Sequence, residues 1–168
     1  MLSYDLISFG SVGQEIIHFV NNNPTDWWLR SNIKGHIVGS AFIVDKSRTY
    51  SLLTHHKKLN KWLQLGGHCD IPNVLKTANR EAIEESGISD ISIVSTAVLD
   101  VDIHTIPDGK EPTHTHYDIR YLFEADINAP IIVSNESKDV KWIKLDEVHN
   151  YNNSESLMRM VRKVISKE

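Results

Sequence analysis

A chain of 168 residues with 40% hydrophobic and 24% charged positions is long enough for one well-packed domain and short for two. Its formal charge of −4 gives no general attraction to nucleic acid or an anionic membrane, so a phosphate-bearing ligand needs a local site and a bridging cation. No apolar run approaches the roughly 20 residues that span a bilayer, Met1-Leu2-Ser3-Tyr4-Asp5 lacks a secretory signature, and the single Cys69 excludes an intramolecular disulfide or a multi-cysteine zinc knuckle. These features predict a cytoplasmic protein with neither a membrane nor a nucleic-acid polymer as partner.

In chain order, Val12, Ile16, Ile17 and Val20 have helical spacing behind Ser11, a candidate N-cap, and Asn21-Asn22-Asn23-Pro24 ends the helix. Trp27 and Trp28 follow in a short helical or irregular segment. Adjacent tryptophans are not expected to face the same core, so one should pack and the other cover a neighbour or a ligand pocket. From His36 the residues turn β-branched and aromatic: 36–45, 50–55 and 61–65 read as strands, with Asp45-Lys46-Ser47-Arg48 as a turn. A glycine loop and a helix at 74–86 come next, then long strands at 92–104 and 114–126 joined by a hairpin-like loop over 105–112. A strand at 140–143 and helices at 145–149 and 154–167 complete the chain. This order predicts an α/β fold with a mixed sheet between helices. Residues 1–33 are read as a helical extension packed on a domain of residues 34–168.

The helix at 74–86 carries the most informative pattern. Glu81, Glu84 and Glu85 fall within roughly a 100° arc, because positions i, i+3 and i+4 are neighbours on a helix surface. An isolated acidic triplet would read as a solvated face. Here Leu75, Ala78 and Ala82 form an apolar stripe beside it, which lets the helix anchor in a core while presenting carboxylates to a cleft, and Gly87 supplies the stop. Like charges gathered in this way suit a divalent cation better than they suit stability.

Gly66-Gly67, Arg80-Glu81, Glu84-Glu85, Gly87 and Ile88 resemble the Nudix box, with Ala82 at its first aliphatic position. The first glutamate of that box is absent: its place is taken by Pro72 counting from Gly66, or by Asn73 counting from Gly67, with Asp70 a substitute partner for Arg80. The resemblance extends over about residues 36–150. It implies a Nudix-type α/β/α sandwich, here with an appended N-terminal helix, and hydrolysis of a diphosphate joining a nucleoside to another group, with Mg²⁺ or Mn²⁺ as cofactor. By the same resemblance, Gly67, Glu81, Glu84 and Glu85 are the metal-site residues, Glu84, Glu85 and Arg80 belong to the catalytic set, and Glu136 is the candidate base outside the box. The substrate would be a small nucleotide-type diphosphate, and a homodimer is a known arrangement of similar proteins. Two alternatives are a non-catalytic nucleotide-binding module on this fold and, through Cys69, an isopentenyl-diphosphate type of isomerase.

Magnesium fits such a site because it is a hard cation that takes a few carboxylate oxygens and leaves the remaining positions to water and phosphate. Period-two geometry puts His114, His116, Asp118 and Arg120 on one strand face, too polar for a core and suited to line a substrate cleft. His116, Asp118 and Arg120 are therefore candidate substrate contacts, with His68 beside the glycine pair. Imidazole also suits zinc, and His114 with His116 could form such a pair, against the plainer reading of a sheet face or cleft wall.

Overall fold

The computed structural model describes residues 6–109 and 112–166. In chain order its helices are α1 (Gly10–Asn22), α2 (Val74–Ser86) and α3 (Glu155–Ile165), with 3₁₀ turns at Ile7–Phe9 and Val148–Asn150. Its strands are β1 (Gly35–Asp45), β2 (Tyr50–His56), β3 (Lys61–Leu63), β4 (Leu65–His68), β5 (Ile91–Ile93), β6 (Asp100–Ile106), β7 (His114–Ala125) and β8 (Ser137–Lys144).

All eight strands join one mixed sheet built around β1 and β7, which run parallel from Gly35 opposite Thr115 to Asp45 opposite Ala125. The outer edge of each central strand is divided between two partners. β4 pairs with β1 over Val38–Ala41 and β2 takes over at Ile43 and Val44, while β6 and β5 divide the edge of β7. Every residue of β1 is buried, as expected of a strand with neighbours on both edges and layers on both faces.

Two hydrophobic cores follow from the alternation of side chains across this sheet. Ile37, Ala41, Ile119, Tyr121 and Phe123 pack with Val74, Ala78 and Ala82 of α2 and with Ile16 and Phe19 of α1, whose Phe19 ring stacks on Tyr117 at 4.1 Å. Phe42, Val44 and Leu122 point the other way, onto Leu157, Met160, Val161 and Val164 of α3. The result is the anticipated arrangement of helices on both sides of a mixed sheet.

α2 forms where its caps and stripe place it. The Asn73 side chain accepts the Lys76 N–H at 3.0 Å, an N-cap that satisfies one of the helix's unpaired donors. Gly87 ends the helix in the left-handed conformation, φ 71°, where a β-carbon would be strained.

Several local expectations are corrected. The stretch 61–65 breaks at Gln64 because the chain changes partner there, from β2 (Thr54 opposite Leu63) to β1 (Ala41 opposite Leu65), and the glycine pair lies within β4 rather than in a loop. The stretch 92–104 is likewise two strands: after Val94 donates to the Leu122 carbonyl the chain leaves β7 and rejoins it where Leu99 donates to Arg120. The helix read at 145–149 is only the 3₁₀ turn Val148–Asn150. α1 starts at Gly10 behind Phe9, without a side-chain cap from Ser11. Trp27 and Trp28 are both half-buried against the same core, since their rings lie in a turn rather than on opposite sides of a regular element. The 105–112 loop includes Lys110 and Glu111, which lie outside the described residues, as do Met1–Asp5 and Lys167.

Candidate active site

The glycine pair of β4 meets the acidic side of α2. Glu85, 6% exposed, accepts the Gly66 N–H at 2.8 Å through Oε2. A β-carbon on Gly67 would lie 2.5 Å from the Glu81 carboxyl group, so glycine is what allows backbone and carboxylate to stand so close. Arg80 binds this junction together: one guanidinium nitrogen donates to the His68 carbonyl at 2.9 Å and pairs with Glu81 at 2.8 Å and Asp70 at 3.0 Å, while the other reaches Glu84 at 2.8 Å. Asp70 thus supplies Arg80 with a carboxylate partner, and Asn73, one of the two positions read for the absent box glutamate, caps the helix.

The three helix carboxylates are not equivalent. Glu81 and Glu85 turn inward to the glycine strand, whereas Glu84 is 58% exposed and held on the outer flank by Arg80. Burial pushes the Glu85 carboxyl up to about 8, opposed by its bond from Gly66 and reinforced by the charges of Glu81 and Glu136. Glu81 is also raised, first by burial, with Arg80 opposing and Glu84 and Glu136 adding. Glu136, just before β8, is therefore close enough for its charge to reach both inner carboxylates, and its backbone carbonyl accepts the Lys57 N–H at 3.0 Å. Glu81 and Glu85, whose proton affinity is raised by burial and by the nearby charge of Glu136, are a donor pair that a hard cation would relieve.

The polar face of β7 is divided by depth. Asp118 and Arg120 are almost fully enclosed, so the expectation that they line an open cleft does not hold. Asp118 accepts from Ser40 at 2.7 Å, Gln64 at 3.2 Å and Arg120 at 2.7 Å, and Arg120 continues to Asp100 at 3.2 Å. Arg159 and Lys163 of α3 close the network onto Asp100, at 3.0 and 2.7 Å. Asp102 is held well below the ordinary carboxylate range, since His104, Arg120 and Arg159 outweigh the effect of its burial. Buried charges survive where they are paired and hydrogen-bonded, and α3 supplies the partners that isolated strand reading lacks.

His116 lies at the other end of that face among further imidazoles. It is a register partner of His36 on β1 and of His104 on β6, and His68 of β4 is at 5.1 Å between ring centroids. Burial, then His36, His68, His104 and His114, push the His116 imidazole down to about 2, so the ring is neutral at physiological pH. His36, His104 and Gln64 carry no local mark in the sequence. Their common signal is register: His36 faces His116 only because β1 and β7 pair in parallel, which their alternation alone does not reveal.

Cys69 is buried among apolar residues, and burial raises its thiol above the ordinary value despite the lowering influence of Thr77 and Arg80 nearby. Such a thiol is poorly suited to nucleophilic or acid–base work.

A family model described as NUDIX domain matches residues 35–164. The chain belongs to the Nudix family. A NUDIX-family hydrolase from Clostridium perfringens is similar in structure at 29% identity and TM-score 0.59, over 79% of this chain and 98% of that one. An Ap4A hydrolase binary complex from C. elegans superposes at TM-score 0.61 with 17% identity, over 78% and 96% of the two chains. The dihydroneopterin triphosphate pyrophosphohydrolase of E. coli gives TM-score 0.58 at 12% identity, over 79% and 96%. No curated protein matches the sequence at a significant level. This Nudix protein is an enzyme, a hydrolase of diphosphate bonds, and among its described residues no helix is long and apolar enough to cross a membrane.

Proposed function

We propose that this Nudix hydrolase cleaves, with Mg²⁺ or Mn²⁺, the diphosphate of a small nucleotide in which a nucleoside diphosphate is linked to another moiety. The observation that carries this reading is the docking of Glu85 on the Gly66 N–H beside Glu81 and Gly67, with Glu136 within electrostatic reach. Glu81, Glu85 and the Gly67 carbonyl would hold the cation, with Glu84 joining them only on leaving the flank where Arg80 holds it; the cation's chemistry is to neutralise the diphosphate, polarise phosphorus and acidify a water.

The chain's own residues do the rest. Arg80 fixes the direction of Glu81 and the path of β4 at His68, and so keeps carboxylates and backbone in register. Glu136, or a box carboxylate, accepts the proton of the attacking water. His68 and His116, partly exposed, are the polar groups of the proposed substrate set that solvent reaches, while Asp118 and Arg120 act beneath them as positioning residues.

The test is a panel of nucleoside diphosphate conjugates and nucleoside triphosphates with Mg²⁺ or Mn²⁺, the products resolved by chromatography. Turnover that requires the cation and disappears in Glu85→Gln supports the reading. Cation-independent turnover, or full turnover in that variant, removes it.

A further inference from the structure

On the sheet face turned away from α2, three strands bring three imidazoles together. His36 on β1 stands beside His116 on β7 in register, and His68 enters from β4 opposite Val38, so all three rise from one end of the sheet. One candidate ligand nitrogen from each lies within 4.8 Å of the other two, the one such group of three among the described residues. Tetrahedral zinc with bonds of about 2.0–2.1 Å needs its ligand nitrogens roughly 3.3 Å apart, so closure requires shifts of at most roughly 1.5 Å, within the reach of side-chain rotation.

Neighbouring imidazoles orient the His116 ring as outer partners of a metal site would. His114 donates Nδ1–H to the Pro112 carbonyl at 2.8 Å, since that oxygen can only accept, and thereby turns its Nε2 toward Nε2 of His116 at 3.2 Å. His104, also beside His116, has its Nδ1 3.4 Å from Asp102. Simple ring packing would explain the contacts between centroids. It does not explain why residues with lone pairs stand on three strands where apolar rings would pack with less desolvation cost.

We propose that His36, His68 and His116 form a zinc site, separate from the carboxylates of α2 and reached by solvent past His68 and His116. Three neutral imidazoles are a borderline donor set, suited to zinc and poor for magnesium, so the two sites sort ions by chemistry. Zinc there would tie β4 to β1 and β7 directly after the glycine pair.

Tag-free, chelator-stripped protein is titrated with Zn²⁺ by calorimetry and with Co²⁺ by visible absorption. One equivalent is expected in wild type and in the Glu81→Gln/Glu85→Gln double variant, with affinity weakened at least about 100-fold in His68→Gln and in His116→Gln. Because His36 is buried and its neighbours lie at the sheet centre, circular dichroism melts accompany each variant, and X-ray absorption of zinc-loaded wild type gives a measurement independent of folding. Imidazole scattering at about 2.0 Å supports the site. A wild type that binds no stoichiometric zinc, oxygen-only ligation, or binding abolished by the glutamate substitutions and kept in the histidine variants would each overturn it.

Discussion

The two faces of β4 use the same short strand for opposite electrostatic ends. Toward α2, where Gly67 leaves no side chain, Glu81 and Glu85 stand close together with their proton affinity raised, a crowding that a proton or a cation relieves. Toward α3, carboxylates of similar burial are met by Arg120, Arg159 and Lys163 and need nothing from outside. The difference teaches how to tell a site from a scaffold: carboxylates saturated with cations of the chain hold the fold, and those left with raised proton affinity are suited to take a cation from outside.

Substitutions should therefore separate activity from stability. Glu85→Gln is expected to lower kcat/KM about 10³-fold, measured with the best substrate of the panel, while the melting temperature without metal stays level or rises, because a crowded carboxyl is lost. Arg120→Ala should do the reverse, costing about 3–5 kcal/mol in denaturant unfolding, since Asp118 and Asp100 lose their buried partner. A Glu85 variant that unfolds, or an Arg120 variant of normal stability, would erase the distinction between the faces.

What the amino-acid order reveals by itself divides along the same line. The caps, stripe and carboxylate spacing of α2 are local, so the helix from Val74 to Ser86 and its acidic side are legible in the sequence. The inner and outer division of those carboxylates is not, because it depends on Arg80 drawing Glu84 outward. On β7 alternation correctly groups His114, His116, Asp118 and Arg120, yet it cannot show that α3 brings two cations over one end and that β1 brings His36 to the other. Pairing between distant strands is set by register, and register is invisible to a period of two.

Smaller effects refine the α2 side. Gly67→Ala places a β-carbon against the Glu81 carboxyl, and a displacement of about 1 Å there should lower kcat roughly 10²-fold with little change in KM. A drop confined to KM would mean that the glycine serves substrate entry rather than carboxylate placement.

The smallest expected effect lies in pH dependence. Glu85 has its carboxyl near 8 in the folded protein against 4.5 ordinarily, so between those values the folded state holds a proton that the unfolded chain has released. Stability of the metal-free protein from this group is full below the lower value and declines as pH rises through the upper. A cation competes with that proton and compensates the charge left when it departs. The rise in melting temperature on adding Mg²⁺ should thus be larger at pH 8 than at pH 5.5, by about 3 °C or more, and the difference should vanish in Glu85→Gln. On the α3 side the carboxylates already have cations, so Arg159→Gln should leave the metal-induced increment and its pH dependence unchanged. An equal increment at both pH values in wild type would place the bound ion away from Glu85.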